Sequence, residues 1–279
     1  MKVVFYFSTK DRERELANSF VSGVKICCDA GGVIPIEQYK APDADVAVVI
    51  GVKSLTNKLV SEYKESGRKV IFIDKGHLRR EAYWRVSISD FMPCSYLMHT
   101  QCKDDRLNAL SLDVKSMRTQ GSHIVFAGAS AKYHICRGLP DVTEYAQKIV
   151  HELQVKSSRL VVYRPKPSWL QAVPVSDSFF SRPPRTLEDE MKGAWALVTY
   201  ASNAAVEAAV EGLPVVVLGD GVAKVVGSDS IDEIESVHIP SDEERWQWLC
   251  NVSYCQWTLS EFRSGEAWDT ISDQVRMVT

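Results

Sequence analysis

No apolar run in the 279-residue chain reaches the roughly 18–20 residues that a helical membrane span needs. The opening "MKVVFYFSTKDRERE" holds only about six apolar residues in a row, too few for a secretory signal, and reads as a first β-strand. No pair of cysteines has zinc-type C-x-x-C spacing, and the seven present (Cys27, Cys28, Cys94, Cys102, Cys136, Cys250 and Cys255) are odd in number. A zinc ribbon and a complete disulfide framework are thereby set aside, and a cytoplasmic protein with reduced, buried thiols is expected. No internal repeat and no low-complexity segment occurs, which excludes a solenoid. No Asp-x-Asp motif stands where it would serve as a metal ligand.

What is present is an ordinary globular balance, with 45% hydrophobic and 25% charged residues. The net charge of −3 hides an asymmetry. Residues 53–85 carry nine Lys/Arg against four Asp/Glu, whereas residues 229–279 carry three against eleven. A basic stretch in an acidic chain can mark a surface for an anionic partner, or simply a solvated face.

Buried runs alternate with helical periodicity. "VVFYF", "DVAVVIG" and "RKVIFIDKG" read as strands, and Leu16, Phe20, Val21 and Val24 fall on one face of a helix between the first two. From Tyr83 to Gly121 the pattern weakens; Trp84, Phe91, Pro93 and Tyr96 suggest an irregular aromatic segment, and "DVKSMRTQGS" a linker. The alternation then restarts with "HIVFAG", a helix opened by Asp141 and Glu144, and the strands "RLVVYRP", "WALVTY" and "PVVVLG". A helix over "SDEERWQWLCNVSYCQW" is expected to present Trp246, Leu249, Cys250, Val252 and Cys255, and a last helix runs from about Ser260 to Val275. Such alternation indicates parallel sheets covered on both faces. The expected organisation is an α/β chain of two Rossmann-like domains, 1–118 and 119–279.

The second half carries the stretch "VTYASNAAVEAAVEGLPVVVLGDGVA". Ligands of open parallel sheets bind beyond the carboxyl ends of strands, and Tyr200–Asn203 lies at such an end, where a helix begins. Unpaired N–H groups there favour phosphate, and small side chains admit it; Ser202 or Asn203 can cap the helix or bind the ligand. Glu207, one turn on, can accept from ribose hydroxyls. Alternatively, the alanines serve only close packing. Three more strand ends fit a donor site: "FAGASAKYH" with Gly128, Ser130, Lys132 and His134; "YRPKPS" with Arg164 and Lys166 as diphosphate cations; and "LGDGVA" with Asp220 as an acceptor for sugar hydroxyls.

The segment "SNAAVEAAVEGLPVVVLG" resembles the donor-binding segment of GT-B glycosyltransferases, in which a small-residue turn, a helix Glu and a Gly-x-Pro hold the nucleotide. "YWRVSISDF", "VVYRPKPSW", "VTYASNAAVEAAVEGLP" and "SYCQWTLSEFRSGEAW" are similar to phrases in a family of phage and bacterial glycosyltransferases, a likeness that covers most of the chain. The resemblance implies a GT-B fold with two domains facing a cleft, the first holding the acceptor and the second the nucleotide sugar. The last helix can then cross back to the first domain. It also implies a UDP-linked donor, no cofactor, no metal requirement, and the host cytoplasm as location if the gene is a phage's.

Transfer needs a base for the acceptor hydroxyl. Asp74 is the first candidate, followed by His77 and Asp90, all in the N-terminal half. Lys75, Arg79, Arg80 and Arg85, with Tyr83 and Trp84, surround them, and cations interleaved with aromatics suit a polyanion with stackable bases. The expected acceptor is therefore a hydroxymethylated pyrimidine in double-stranded DNA. The competing readings are transfer to a surface polysaccharide or lipid-linked sugar, a sugar-nucleotide 2-epimerase, and a nucleotide-binding module without catalysis.

Overall fold

A computed structural model describes residues 1–8, 10–51, 53–91 and 98–277. The expected features at Pro93, Cys94 and Tyr96 lie outside the described residues. The chain divides into two units, Met1–Cys102 with Asn251–Thr279, and Lys103–Cys250. Among the described residues no helix is long and apolar enough to cross a membrane.

Unit 1 runs β1 (Lys2–Phe7), α1 (Asp11–Ile26), β2 (Ala30–Pro35), β3 (Val46–Ile50), α2 (Ser54–Glu65), β4 (Lys69–Lys75) and β5 (Trp84–Ile88). Unit 2 follows with α3 (Asp105–Ala109), β6 (His123–Ala127), α4 (Ala131–Arg137), α5 (Val142–Lys156), β7 (Leu160–Arg164) and β8 (Phe179–Phe180). It continues through α6 (Leu187–Met191), β9 (Ala194–Thr199), α7 (Ala204–Val210), β10 (Val215–Val217) and most of α8 (Asp242–Ser253). The chain then returns to unit 1 as β11 (Gln256–Trp257), α9 (Leu259–Ser264) and α10 (Glu266–Met277).

The sheet of unit 1 has the order β11-β5-β4-β3-β1-β2. Side chains alternate across a strand, and β1 shows the consequence: Val3, Phe5 and Phe7 enter one core cluster, Val4 and Tyr6 the other. The first cluster includes Leu16, Phe20 and Val24 of α1 with Phe262, Trp268, Ile271 and Val275 of the C-terminal helices. The second takes Leu59 and Tyr63 from α2. In unit 2 the order is β10-β9-β6-β7-β8, all parallel. One face buries Ala146, Ile149, Val150 and Leu153 of α5.

Five details differ from the sequence reading. The expected irregular segment contains a strand, β5, antiparallel to β4 and to β11. The expected linker at residues 112–121 belongs to unit 2, where Lys115 N donates to Val210 O at 2.9 Å and Arg118 N to Gly212 O at 2.7 Å. The helix expected to reach Trp257 stops at Ser253; Trp246 is 40% exposed and Trp248 is buried instead. The expected last helix is two helices, separated at Gly265, whose φ of +91° is left-handed. Of the thiols, Cys250 and Cys255 are buried, but Cys28 is exposed.

Gly23 shows how tightly α1 meets the C-terminal helices: a Cβ there would overlap the carbonyl oxygen of Phe262. Glycine to alanine in a helix interior ordinarily gains about 1 kcal/mol, whereas overpacking costs about 1–3 kcal/mol. Against a backbone atom the second effect wins. Gly23→Ala is expected to destabilise the protein by at least about 1 kcal/mol in urea unfolding; a stabilised variant would contradict this packing.

Candidate functional site

In unit 2, β7 and β8 lie to one side of β6, and β9 and β10 to the other. Strand order therefore reverses between β6 and β9, which is where an open parallel sheet leaves a ligand crevice beyond its carboxyl ends. The segments leaving these two strands are Gly128–Ser130 and Tyr200–Asn203. They are knitted together by the buried Thr199, whose hydroxyl donates to Ala127 O at 2.7 Å and accepts from Ser202 N at 3.3 Å. From β10, Leu218 N donates to Thr199 O at 2.9 Å and Gly219 N to Tyr200 O at 2.7 Å. On the other side Gly128 N donates to Arg164 O at 2.9 Å.

The small residues have a packing cause. Ala204, Ala205, Ala208 and Ala209 of α7 are buried against β9 and β10, so the helix lies close to the sheet. Gly219 has no room for a Cβ because the ring of Tyr200 occupies that space. Tyr200 in turn meets Tyr133 and Tyr145, with ring centroids 6.1 and 6.2 Å away.

The donor candidates separate into two sets. Ser202 and Asn203 are half-buried, while Glu207, Asp220, Lys132 and Lys166 are exposed. Ser202 Oγ accepts from Ala204 N at 3.2 Å, and Asn203 Nδ2 donates to Glu207 Oε1 at 3.1 Å. Ser130 Oγ caps α4 by accepting from Tyr133 N at 3.3 Å. Three others are committed inward. Gly128 lies against the ring of Tyr163. His134 is buried, its Nδ1 donating to Pro140 O at 2.7 Å and its ring edge-on to Tyr145.

Arg164, expected as an open diphosphate cation, is buried and donates to Ser181 Oγ at 2.9 Å; Ser181 Oγ donates to Glu190 Oε1 at 2.6 Å. Arg185 closes the network on Glu190, with Nε at 2.5 Å from Oε1 and Nη2 at 3.0 Å from Oε2. Burial raises the Glu190 pKa, but the hydrogen bonds from Arg185 and Ser181 and the charges of both arginines outweigh it and hold the carboxyl below its ordinary value. Burial in turn lowers the Arg164 pKa, against the opposing charge of Glu190.

In unit 1, Asp74 stands at the carboxyl end of β4 with a side chain 41% exposed. It accepts from Lys75 N at 2.8 Å and from Arg85 Nη2 at 3.3 Å. His77 is 3% exposed, in a turn tied to β11 through Gln256, whose Oε1 accepts from His77 N and Leu78 N, both at 2.9 Å. Asp90 is exposed beside Lys64, 3.5 Å away. Trp84 and Arg85, expected on an acceptor surface, are buried instead: Trp84 packs in the core and the Arg85 guanidinium lies 4.5 Å from the Phe91 ring centroid. Arg79 is exposed and Tyr83 half-buried. Lys75 pairs with Glu81 at 2.9 Å, and Arg80 donates to Gly76 O at 3.0 Å.

Unit 1 has its own reversal of strand order, between β1 and β3. Residues there that the sequence reading passed over are Ser8, Glu13 and Lys53. Glu13 accepts from Lys53 Nζ at 2.7 Å, from Ser8 Oγ at 2.6 Å and from Ser8 N at 3.0 Å. Burial raises its pKa, yet these partners prevail and hold it below the ordinary carboxylate value. The available signal was position alone: Ser8 directly follows a buried strand. Asp43 and Asp45, separated by one residue, are occupied structurally, by Lys2 Nζ at 2.9 Å and Lys2 N at 2.7 Å.

No family model matches the chain, and no curated protein matches it. Solved structures do. A β-Kdo 2,4 transferase, KpsC of Thermosulfurimonas dismutans, is similar over 98% of this chain and 97% of its own, with a TM-score of 0.57 and 13% identity. A β-Kdo 2,7 transferase, KpsC of the same organism, is similar over 98% and 100%, with a TM-score of 0.56 and 12% identity.

Because the Glu190 carboxyl is depressed in the folded state, its stabilising contribution is present above the ordinary pKa of 4.5 and is lost as pH falls through the lower folded value. Glu190→Gln is expected to cost about 2 kcal/mol at pH 7, with the gap from wild type closing as the pH falls below the ordinary value of 4.5 and through the lower folded one in urea titrations. A gap independent of pH would contradict the network. The likeness to the two transferases establishes the fold, an α/β chain of two Rossmann-like sheets of the GT-B type.

Proposed function

We propose that the protein transfers a sugar from a nucleotide sugar to an acceptor hydroxyl, with the donor held at the strand reversal of unit 2. The observation that carries this reading is the convergence, at the carboxyl ends of β6, β9 and β10, of the segments bearing Gly128–Ser130, Ser202–Glu207 and Asp220. There Ser202 and Asn203 stand beside the phosphates. Glu207 and Asp220, both exposed carboxylates, accept from ribose or sugar hydroxyls. Lys132 and Lys166, both exposed, supply positive charge. A shared fold alone does not decide among chemistries; sugar transfer is favoured because two proteins with this fold are named as sugar transferases.

In the reaction, a bond forms from the acceptor oxygen to the anomeric carbon as the bond from that carbon to the phosphate oxygen breaks. The nucleotide leaves, and the acceptor proton passes to a base. Asp74 is the base we put forward. It stands at the carboxyl end of β4, which is parallel to β3, with a partly exposed carboxylate, whereas His77 is buried and Asp90 follows β5, antiparallel to β4. The UDP-linked donor rests on the family resemblance, and no metal ion is part of the reading. For the acceptor we put forward a hydroxymethylated pyrimidine in DNA, flipped out of the duplex. It is supported by the basic stretch at residues 53–85, of which Lys75, Arg79, Arg80 and Tyr83 keep exposed or half-buried side chains.

The test is incubation with a panel of nucleotide sugars, with and without hydroxymethylcytosine DNA, followed by released nucleotide and DNA mass. A sugar-sized gain in DNA mass is expected. Nucleotide release only with a lipid-linked or polysaccharide acceptor would overturn the DNA reading, and interconversion of the nucleotide sugar itself would replace transfer by epimerisation. In the active system Asp74→Asn is expected to lower turnover by about 100-fold or more while nucleotide binding persists; full turnover would remove Asp74 from the role.

A further inference from the structure

With Arg164 committed to Ser181, the donor reading lacks a guanidinium for the phosphates. One lies nearby that the sequence reading did not single out. Tyr133 and Arg137 are four residues apart on α4 and therefore share a face. The Arg137 guanidinium sits 5.7 Å from the Tyr133 ring centroid, and that ring packs against Tyr200, the first residue after β9. Among the described residues no carboxylate pairs with Arg137. Its Nη2 and the Tyr133 hydroxyl are both buried and meet no third polar group in hydrogen-bonding geometry; the guanidinium and the hydroxyl lie within reach of each other.

Buried polar groups are nearly always paired; here the guanidinium has a neutral hydroxyl beside it and, among the described residues, no carboxylate to balance its charge. Burial, the larger effect, raises the Tyr133 pKa, partly offset by Arg137, while Tyr200 and Asp220 raise it further. Tyr133 thus keeps its proton and remains a donor, in electrostatic reach of the end of β10. The pair carries one permanent cation, one hydroxyl that can donate or accept, and no negative charge. An anionic oxygen ligand matches them, and a planar guanidinium suits a phosphate that offers two oxygens.

We propose that Arg137, with Tyr133, is the phosphate-holding pair of unit 2, which restricts the ligand to nucleotides over nucleosides. The proposal rests on the donor reading and sharpens it. Arg137 would turn off the Tyr133 ring onto the phosphates, and the hydroxyl would donate to the same group.

The experiment is calorimetric titration of wild type, Arg137→Ala, Arg137→Lys and Tyr133→Phe with UDP, CDP, GDP, ADP and dTDP, and with the matching nucleosides. Wild type is expected to bind at least one diphosphate. Arg137→Ala should weaken that diphosphate by about tenfold to a hundredfold, with the nucleoside unchanged. Tyr133→Phe should weaken it by about threefold to tenfold, and Arg137→Lys should fall between alanine and wild type. Thermal unfolding of the free variants serves as the folding control. Diphosphate affinity unchanged in a folded Arg137→Ala would overturn the pair and leave the donor site standing. Equal losses for diphosphate and nucleoside would reduce Arg137 to a structural role and overturn it too. No binding of any diphosphate by wild type would overturn the donor reading, and the pair with it.

Discussion

Thr199 is fully buried at the end of β9, and its hydroxyl joins strands that the chain connects only over a long distance. It donates to the last carbonyl of β6 and accepts from the amide that starts the turn into α7. The Thr199 carbonyl takes the amide of Leu218 beyond β10. The point where strand order reverses is thus held by the protein's own bonds. Gly128–Ser130 and Tyr200–Asn203 leave this frame, and the exposed carboxylates of Glu207 and Asp220 are carried on α7 and on the bend after β10. A site that is organised before its ligand arrives loses less entropy on binding.

The same topological rule produces a different chemistry in unit 1. Its reversal, at β1 and β3, is occupied by an ion-paired carboxylate, with Glu13 held by Ser8 and Lys53. In unit 2 the reversal is lined by tyrosines and closed by alanines. Close packing explains the alanines and Gly219 without a ligand. A bound nucleotide is instead motivated by what remains unmatched beside them: a guanidinium on α4 that, among the described residues, has no carboxylate to balance its charge.

Much of the fold was legible because buried parallel strands are continuous apolar runs; β1, β3, β4, β6, β7, β9 and β10 all fall on runs that the sequence shows. The face of α1 was legible too, since Leu16, Phe20, Val21 and Val24 are buried as their spacing implies. Strand β5 pairs with the neighbouring β4, but its other edge is covered by β11 from the far end of the chain, so that Trp84 opposite Trp257 has no local signal. The site was legible to the level of strand ends and no further. Whether an arginine or histidine there faces a ligand depends on partners remote in sequence. Ser181 and Glu190 draw Arg164 inward, Pro140 orients His134, and Gln256 fixes the turn that buries His77. Spacing carries none of that information, and the same blindness passed over Arg137, whose significance lies in the partner it lacks.

The most direct test of the donor site is amide hydrogen exchange of the whole protein, with and without saturating nucleotide sugar. Slower exchange concentrated at residues 128–137, 200–207 and 219–221 is the result expected of a nucleotide held at the reversal of unit 2. Unchanged exchange there, with protection elsewhere or nowhere, would mean that the alanines and glycines of this segment serve packing alone.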